Sequence, residues 1–149
     1  MTTFKFPLQR ALDWRGTQLE LAEARVEQQL AALAALDQAR AELEAMGKRT
    51  ELEVRQFSPL GGGDLSALGT FRLTIKVRGR ELVAKRAECL KELAVRQAAL
   101  VECRRRCRLL ERLKERRLTE WRSAAEKELD EVAADSYLAQ WARRRALSI

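Results

Sequence analysis

The sequence predicts an all-α fold, a long antiparallel two-helix coiled-coil hairpin whose second helix overhangs the first. Three observations carry this: an alphabet of helix formers, two apolar stripes at heptad spacing, and a single strong turn between them. Ala, Leu, Glu, Arg and Gln dominate the 149 residues, against two prolines and seven glycines, and β-branched residues cluster only around Phe71 to Val77. The length fits one domain over residues 1–149.

The first helix is expected over about residues 4–57. Pro7 suits a first helical turn, where its missing N–H has no intrahelical partner, and Thr2 or Thr3 is the candidate cap. Alternate steps of 4 and 3 from Leu8 give Leu8, Leu12, Arg15, Leu19, Ala22, Val26, Gln29, Leu33, Leu36, Arg40 and Leu43, of which eight of eleven are apolar. The pattern continues less cleanly through Met46, Thr50, Val54 and Phe57, with Gly47 a weak point costing about 1 kcal/mol relative to Ala.

The turn is expected at about residues 58–63. Ser58-Pro59-Leu60-Gly61-Gly62-Gly63-Asp64 combines a helix-terminating proline with three glycines, and either Asp64 or Ser66 can cap the second helix. That helix is expected from about residue 64 to 143. Its stripe runs Ile75, Gly79, Leu82, Arg86, Cys89, Leu93, Arg96, Leu100, Cys103, Cys107 and Leu110. Phe71, Leu73, Ile75 and Val77 alternate with polar residues as a strand would, but no second strand exists to pair with them, and helix is the reading adopted.

A connection this short forces the helices antiparallel. With Phe57 facing Asp64, the numbers of facing residues sum to about 121, which sets Leu8 opposite about Leu113. The segment from about Leu118 to Ile149 then overhangs. Its apolar residues Leu118, Trp121, Ala125, Leu129, Val132, Leu138 and Trp141 have no partner helix in the chain, and exposed apolar faces mark interaction sites.

Catalytic chemistry finds little support, and the chain is read as a non-enzyme. There is no histidine, which removes Ser-His-Asp and Cys-His nucleophiles. Cys103 and Cys107 stand four apart, yet no further Cys or His lies near them to complete a tetrahedral site, and all three cysteines fall on the seam, where a thiol packs as a small hydrophobe. Gly61-Gly62-Gly63 lacks the Lys-Ser/Thr ending of a phosphate-binding loop and follows a helix. No cofactor or metal is expected. The absence of an apolar run of about 20 residues and of an N-terminal apolar h-region, with an odd number of cysteines, predicts a cytosolic protein.

The net charge of +7 is unevenly placed. Leu8–Phe57 holds 7 basic and 9 acidic residues, whereas the stretch from Asp64 onward holds 21 basic and 13 acidic. Its densest run is Arg104, Arg105, Arg106, Arg108, Arg112, Lys114, Arg116, Arg117 and Arg122, which could bind phosphate backbones. Pairing along the helix, as in Arg108/Glu111, Arg112/Glu115 and Arg117/Glu120, together with Asp13, Glu20 and Glu23 on the first helix, favours neutralisation within the chain and docking on an acidic protein. Nucleic acid is therefore not the expected partner, and a basic coiled coil that binds it is the alternative. A third possibility is a structural coiled coil whose overhang mediates homodimerisation.

The N-terminal FKFPLQRALDWRGTQLELAEARV resembles the opening of the flagellar export protein FliJ family, with an aromatic-basic-aromatic start leading into a Glu/Ala/Leu helix. The C-terminal KELDEVAADSYLAQWARR resembles that family's closing segment through its LDE triplet, Leu129, Asp130 and Glu131, followed by a basic tail. GGGDLSALGTFRLTIKVRGREL occupies the place of the family's turn and the start of its second helix. The homologous stalk protein of virulence type III secretion systems shares the hairpin, and the LDE segment favours the flagellar branch.

The resemblance implies a coiled-coil component of the flagellar type III protein export apparatus, peripheral at the cytoplasmic face of the inner membrane and serving flagellum biogenesis and motility. It implies three kinds of partner: the hexameric export ATPase FliI, entered by the joined termini; the export gate protein FlhA; and export chaperones. Carried to this chain, ATPase contacts fall on Leu118, Trp121, Leu129, Val132, Trp141 and Arg143, and gate contacts on the positions around Phe71, Ile75 and Leu82. Gly69 and Gly79 depart from the family's pattern in the latter stretch.

Overall fold

The computed structural model describes residues 3–57 and 59–148. Two helices account for nearly all of them, α1 (Gln9–Gln56) and α2 (Gly62–Leu147), packed against each other as a helical hairpin. No strand occurs among the described residues. The alternating stretch Phe71 to Val77 lies within α2, because a lone strand would leave its backbone groups without partners.

Helix α1 starts later than residue 4. Residues 3–6 form a non-helical arm, and the first helical bonds run from the Gln9 N–H to the Phe6 carbonyl (3.1 Å) and from the Leu12 N–H to the Leu8 carbonyl (2.9 Å). The bond to Phe6 closes a tight turn over Pro7 and Leu8, and Leu8, whose carbonyl accepts the first four-residue helical bond, holds the capping position just ahead of Gln9. Thr3 lies ahead of this turn, too early to cap, and Thr2 is outside the described residues. The helix runs unbroken through Gly47 and closes with a tightened bond from the Phe57 N–H to the Val54 carbonyl (3.1 Å).

Helix α2 starts earlier than residue 64, and neither Asp64 nor Ser66 is its cap. The Gly61 carbonyl accepts from the Asp64 and Leu65 N–H groups (3.1 and 3.2 Å), which makes Gly61 the cap. Asp64, three residues on, takes the Gly61 N–H on its carboxylate at 3.1 Å. This is the returning half of a capping box, and it sets a negative charge in the first turn, where the helix dipole favours one. At the other end α2 continues to Leu147, past residue 143, through a stretch with no proline or glycine to stop it.

The chain forms two compact units, Leu19–Cys103 and the pair of segments Met1–Gln18 with Arg104–Ile149. In the first unit the two stripes meet as a coiled-coil seam: Ala22, Val26, Leu43, Cys89, Leu93 and Leu100 are buried, with Leu19, Leu33 and Cys103 packed beside them. Gln29 is buried in the same seam. Its amide nitrogen reaches the Cys89 carbonyl oxygen at 3.0 Å, the Cys89 sulfur at 3.1 Å and the Glu92 carboxylate at 3.2 Å.

Facing residues in this unit keep the expected sum of about 121. Gln29 meets Glu92, the Arg96 guanidinium donates to the Arg25 carbonyl at 3.0 Å, Arg86 pairs with Asp37 at 2.7 Å, and Arg72 pairs with Glu51 at 3.0 Å. Exposed ion pairs of this kind add at most about 1 kcal/mol each, so apolar burial at the seam holds the helices and the polar contacts mark their register.

Candidate partner-binding surface

In the unit of residues 1–18 and 104–149, the non-helical arm folds onto α2. Phe6 is buried, and the Phe4 ring tilts against the Trp121 ring with centroids 6.1 Å apart. Phe4, Phe6, Leu8, Leu113, Arg117 and Trp121 line a shared pocket of about 560 Å³, which keeps the predicted pairing of Leu8 with Leu113. Trp121 therefore has an aromatic partner that helix periodicity gives no sign of, because the arm lies outside the helical pattern.

Beyond this contact the helix is bare. Leu118, Trp121 and Ala125 are half-buried, while every described residue from 126 to 148 is exposed. Leu129, Val132 and Trp141 are each more than half exposed, and Arg143 stands in the same exposed segment. Tyr137 and Leu138, at 70% and 60%, are more exposed than Trp141 at 51%, and Tyr137 lies off the predicted stripe.

These apolar residues do not form one stripe. At about 100° per residue, Leu118, Ala125, Leu129 and Val132 continue the seam, whereas Leu138, nine residues past Leu129, lies half a turn away. Trp141 shares the Leu138 side, and the Arg145 guanidinium sits over its ring, 4.9 Å from the centroid. Such contacts are worth about 0.5–1 kcal/mol at an exposed site and hold the indole against the helix.

No family model, curated protein or solved structure matches the chain.

Phe71, Ile75 and Leu82 occupy the unit of residues 19–103 and are half-buried. Phe71 lines a pocket of about 500 Å³ at the hairpin tip with Val54, Phe57, Pro59 and Leu60, and Ile75 lines a groove beside Leu43 and Gly79. The apolar side chains that this stretch turns to solvent are instead Leu65, Leu73, Val77 and Val83. They fall between the seam positions, where a heptad search does not look.

In the basic run, Arg117 lies 3.9 Å and Arg116 4.0 Å from the Glu120 carboxylate. Among the described residues no ion pair joins Arg108 to Glu111 or Arg112 to Glu115; Glu111 instead accepts from the Cys107 thiol at 3.7 Å. Burial pushes that thiol above its ordinary value of 9.0, and the Glu111 carboxylate adds to the shift by charge and hydrogen bonding. The three cysteines are free, Cys89 and Cys107 buried and Cys103 partly so, and no group of three or more potential metal ligands occurs among the described residues. No helix there is long and apolar enough to cross a membrane.

Proposed function

We propose that this chain is a non-enzymatic, stalk-like component of the flagellar type III protein export apparatus. It binds the hexameric export ATPase, FliI, through the bare end of α2 and links it to the export gate protein FlhA and to export chaperones. The observation that carries the reading is the exposed helix from residue 126 to 148, with Leu129, Val132 and Trp141 in water and Arg143–Arg145 behind them. A single helix of this kind gains apolar burial only by entering a partner. The resemblance of both termini to the FliJ family supplies the identity of that partner. The same surface would serve the equivalent stalk of a virulence secretion system.

In this reading Leu118 and Trp121 sit where the helix leaves the cover of the arm, and Leu129, Val132, Trp141 and Arg143 carry the ATPase contact. Gate binding near Phe71, Ile75 and Leu82 uses the solvent-facing neighbours Leu73 and Val77. The test is ATP hydrolysis by the export ATPase with and without this protein, at varied ratios. Stimulation with hexamer formation is expected, lost in a chain ending after Arg117 that stays helical by circular dichroism. Stimulation retained by that shortened chain rules the assignment out. Steep loss of DNA or RNA affinity between 50 and 200 mM salt, on the order of a thousandfold for six or more phosphates contacted, would instead favour the basic run as a nucleic-acid site.

A further inference from the structure

Asp130, Ala134, Tyr137, Leu138, Trp141 and Arg145 lie within an arc of about 100° on α2, on a face distinct from the seam stripe of Leu129 and Val132. All six are exposed. The face is apolar at its middle, acidic at one end and basic at the other, and its order reads the same in charge-complementary form from either end. We infer that this face is the seat of a second copy of the chain, in an antiparallel homodimer with its two-fold axis between Tyr137 and Leu138.

An antiparallel alignment in which facing numbers sum to 275 places Asp130 opposite Arg145 of the second copy, Ala134 opposite Trp141, and Tyr137 opposite Leu138. Each contact then occurs twice, as a two-fold interface requires. The large indole meets the smallest side chain of the face, which lets two helices close without a clash. Glu131 falls opposite Arg144, and Lys127 opposite Ser148, so no like charges face each other. The parallel alternative would put Asp130 against Asp130 and Arg145 against Arg145. Charge therefore selects the antiparallel pairing.

The Arg145 guanidinium already lies over the Trp141 ring. From there it can keep the indole covered while its outer N–H groups reach a carboxylate. Six side chains per chain, spread over sixteen residues of helix, fall below the size of standard specific interfaces, so the dimer is weak and transient, with a Kd on the order of 100 µM. This inference concerns the isolated protein and does not need the export reading, with which it shares Trp141, so the second copy and the ATPase would compete for that side chain.

The test is sedimentation equilibrium of the full chain from about 5 to 500 µM. The Asp130→Arg and Arg145→Asp variants each place like charges at both ends of the interface, and each should weaken self-association at least tenfold. Mixed 1:1 they should associate again, because every facing pair in the mixed dimer is then opposite in charge. These residues lie on the exposed helix and the hairpin core is untouched, so circular dichroism should not change. A monomer at the highest concentration, or a dimer that either variant leaves intact, would overturn the proposal. Failure of the mixture to associate would overturn the antiparallel pairing.

Discussion

The buried amide of Gln29 is predicted to define the register at a cost in stability. Among the described residues of its unit it is the one buried polar side chain, and its nitrogen is shared between the Cys89 carbonyl, the Cys89 sulfur and the Glu92 carboxylate. Replacing it with leucine, shorter but of similar volume, forfeits a hydrogen bond worth about 1 kcal/mol net but adds apolar burial worth about 2 kcal/mol. The Cys89 carbonyl sits within α2, where the helix supplies its own donor, and Glu92 is exposed, so neither is orphaned by the change. Gln29→Leu should therefore stabilise the hairpin by about 1 kcal/mol, or about 2–4 °C in Tm for a chain of this size. Gln29→Ala loses the hydrogen bond and leaves a gap, and should cost about 2 kcal/mol. Urea unfolding followed by circular dichroism at 222 nm measures both, with the slope unchanged if only stability moves. Equal destabilisation by Leu and Ala would falsify this reasoning and show that the amide's hydrogen bonds outweigh the apolar burial that leucine adds.

Further outcomes rest on local geometry. Gly47→Ala should stabilise α1 by about 1 kcal/mol, because an added Cβ would meet Ile75 Cγ2 at 3.6 Å, an ordinary contact; a lower urea midpoint would show that the seam is tighter there than the distance implies. Asp64→Ala removes the acceptor of the Gly61 N–H and the negative charge in the first turn of α2, and should cost about 1 kcal/mol, whereas Asp64→Glu should retain part of it. Cys107 makes stability depend on pH. Its folded thiol is raised above 9.0, so as pH climbs past that value the unfolded chain gives up a proton that the folded chain keeps, and stability falls until the raised folded value is passed. Urea midpoints of Cys107→Ala should accordingly decline less between about pH 8 and 10 than those of the parent chain, with the two declines parallel at lower pH.

The sequence by itself determined the hairpin, its turn and its register. Heptad spacing from Leu8 and from Ile75 selects which side chains can be buried together, and Pro59 with three glycines allows only one place for the chain to reverse. Once the turn is placed, connectivity leaves one antiparallel alignment, which is why a Cβ on Gly79 would stand 4.0 Å from Leu43 and why Gln29 is within reach of Glu92. The bareness of the end of α2 was legible for the same reason, since that alignment sets the start of α1 opposite about Leu113 and residues 126–148 lie past it.

Tertiary structure alone decided the contacts that obey no period. Thr3 and Asp64 are good caps by composition, yet Leu8 and Gly61 hold those positions, because caps depend on where the backbone leaves the helix. The arm that sets Phe4 against Trp121 has no helical repeat to announce it, and Gln29 reads in a heptad as a mere interruption until its amide is seen reaching Cys89 and Glu92. Periodicity reports which side of a helix is apolar; which atoms answer a buried polar group, or fold over an exposed ring, depends on side-chain reach across the seam, and that exists only after the chain has packed.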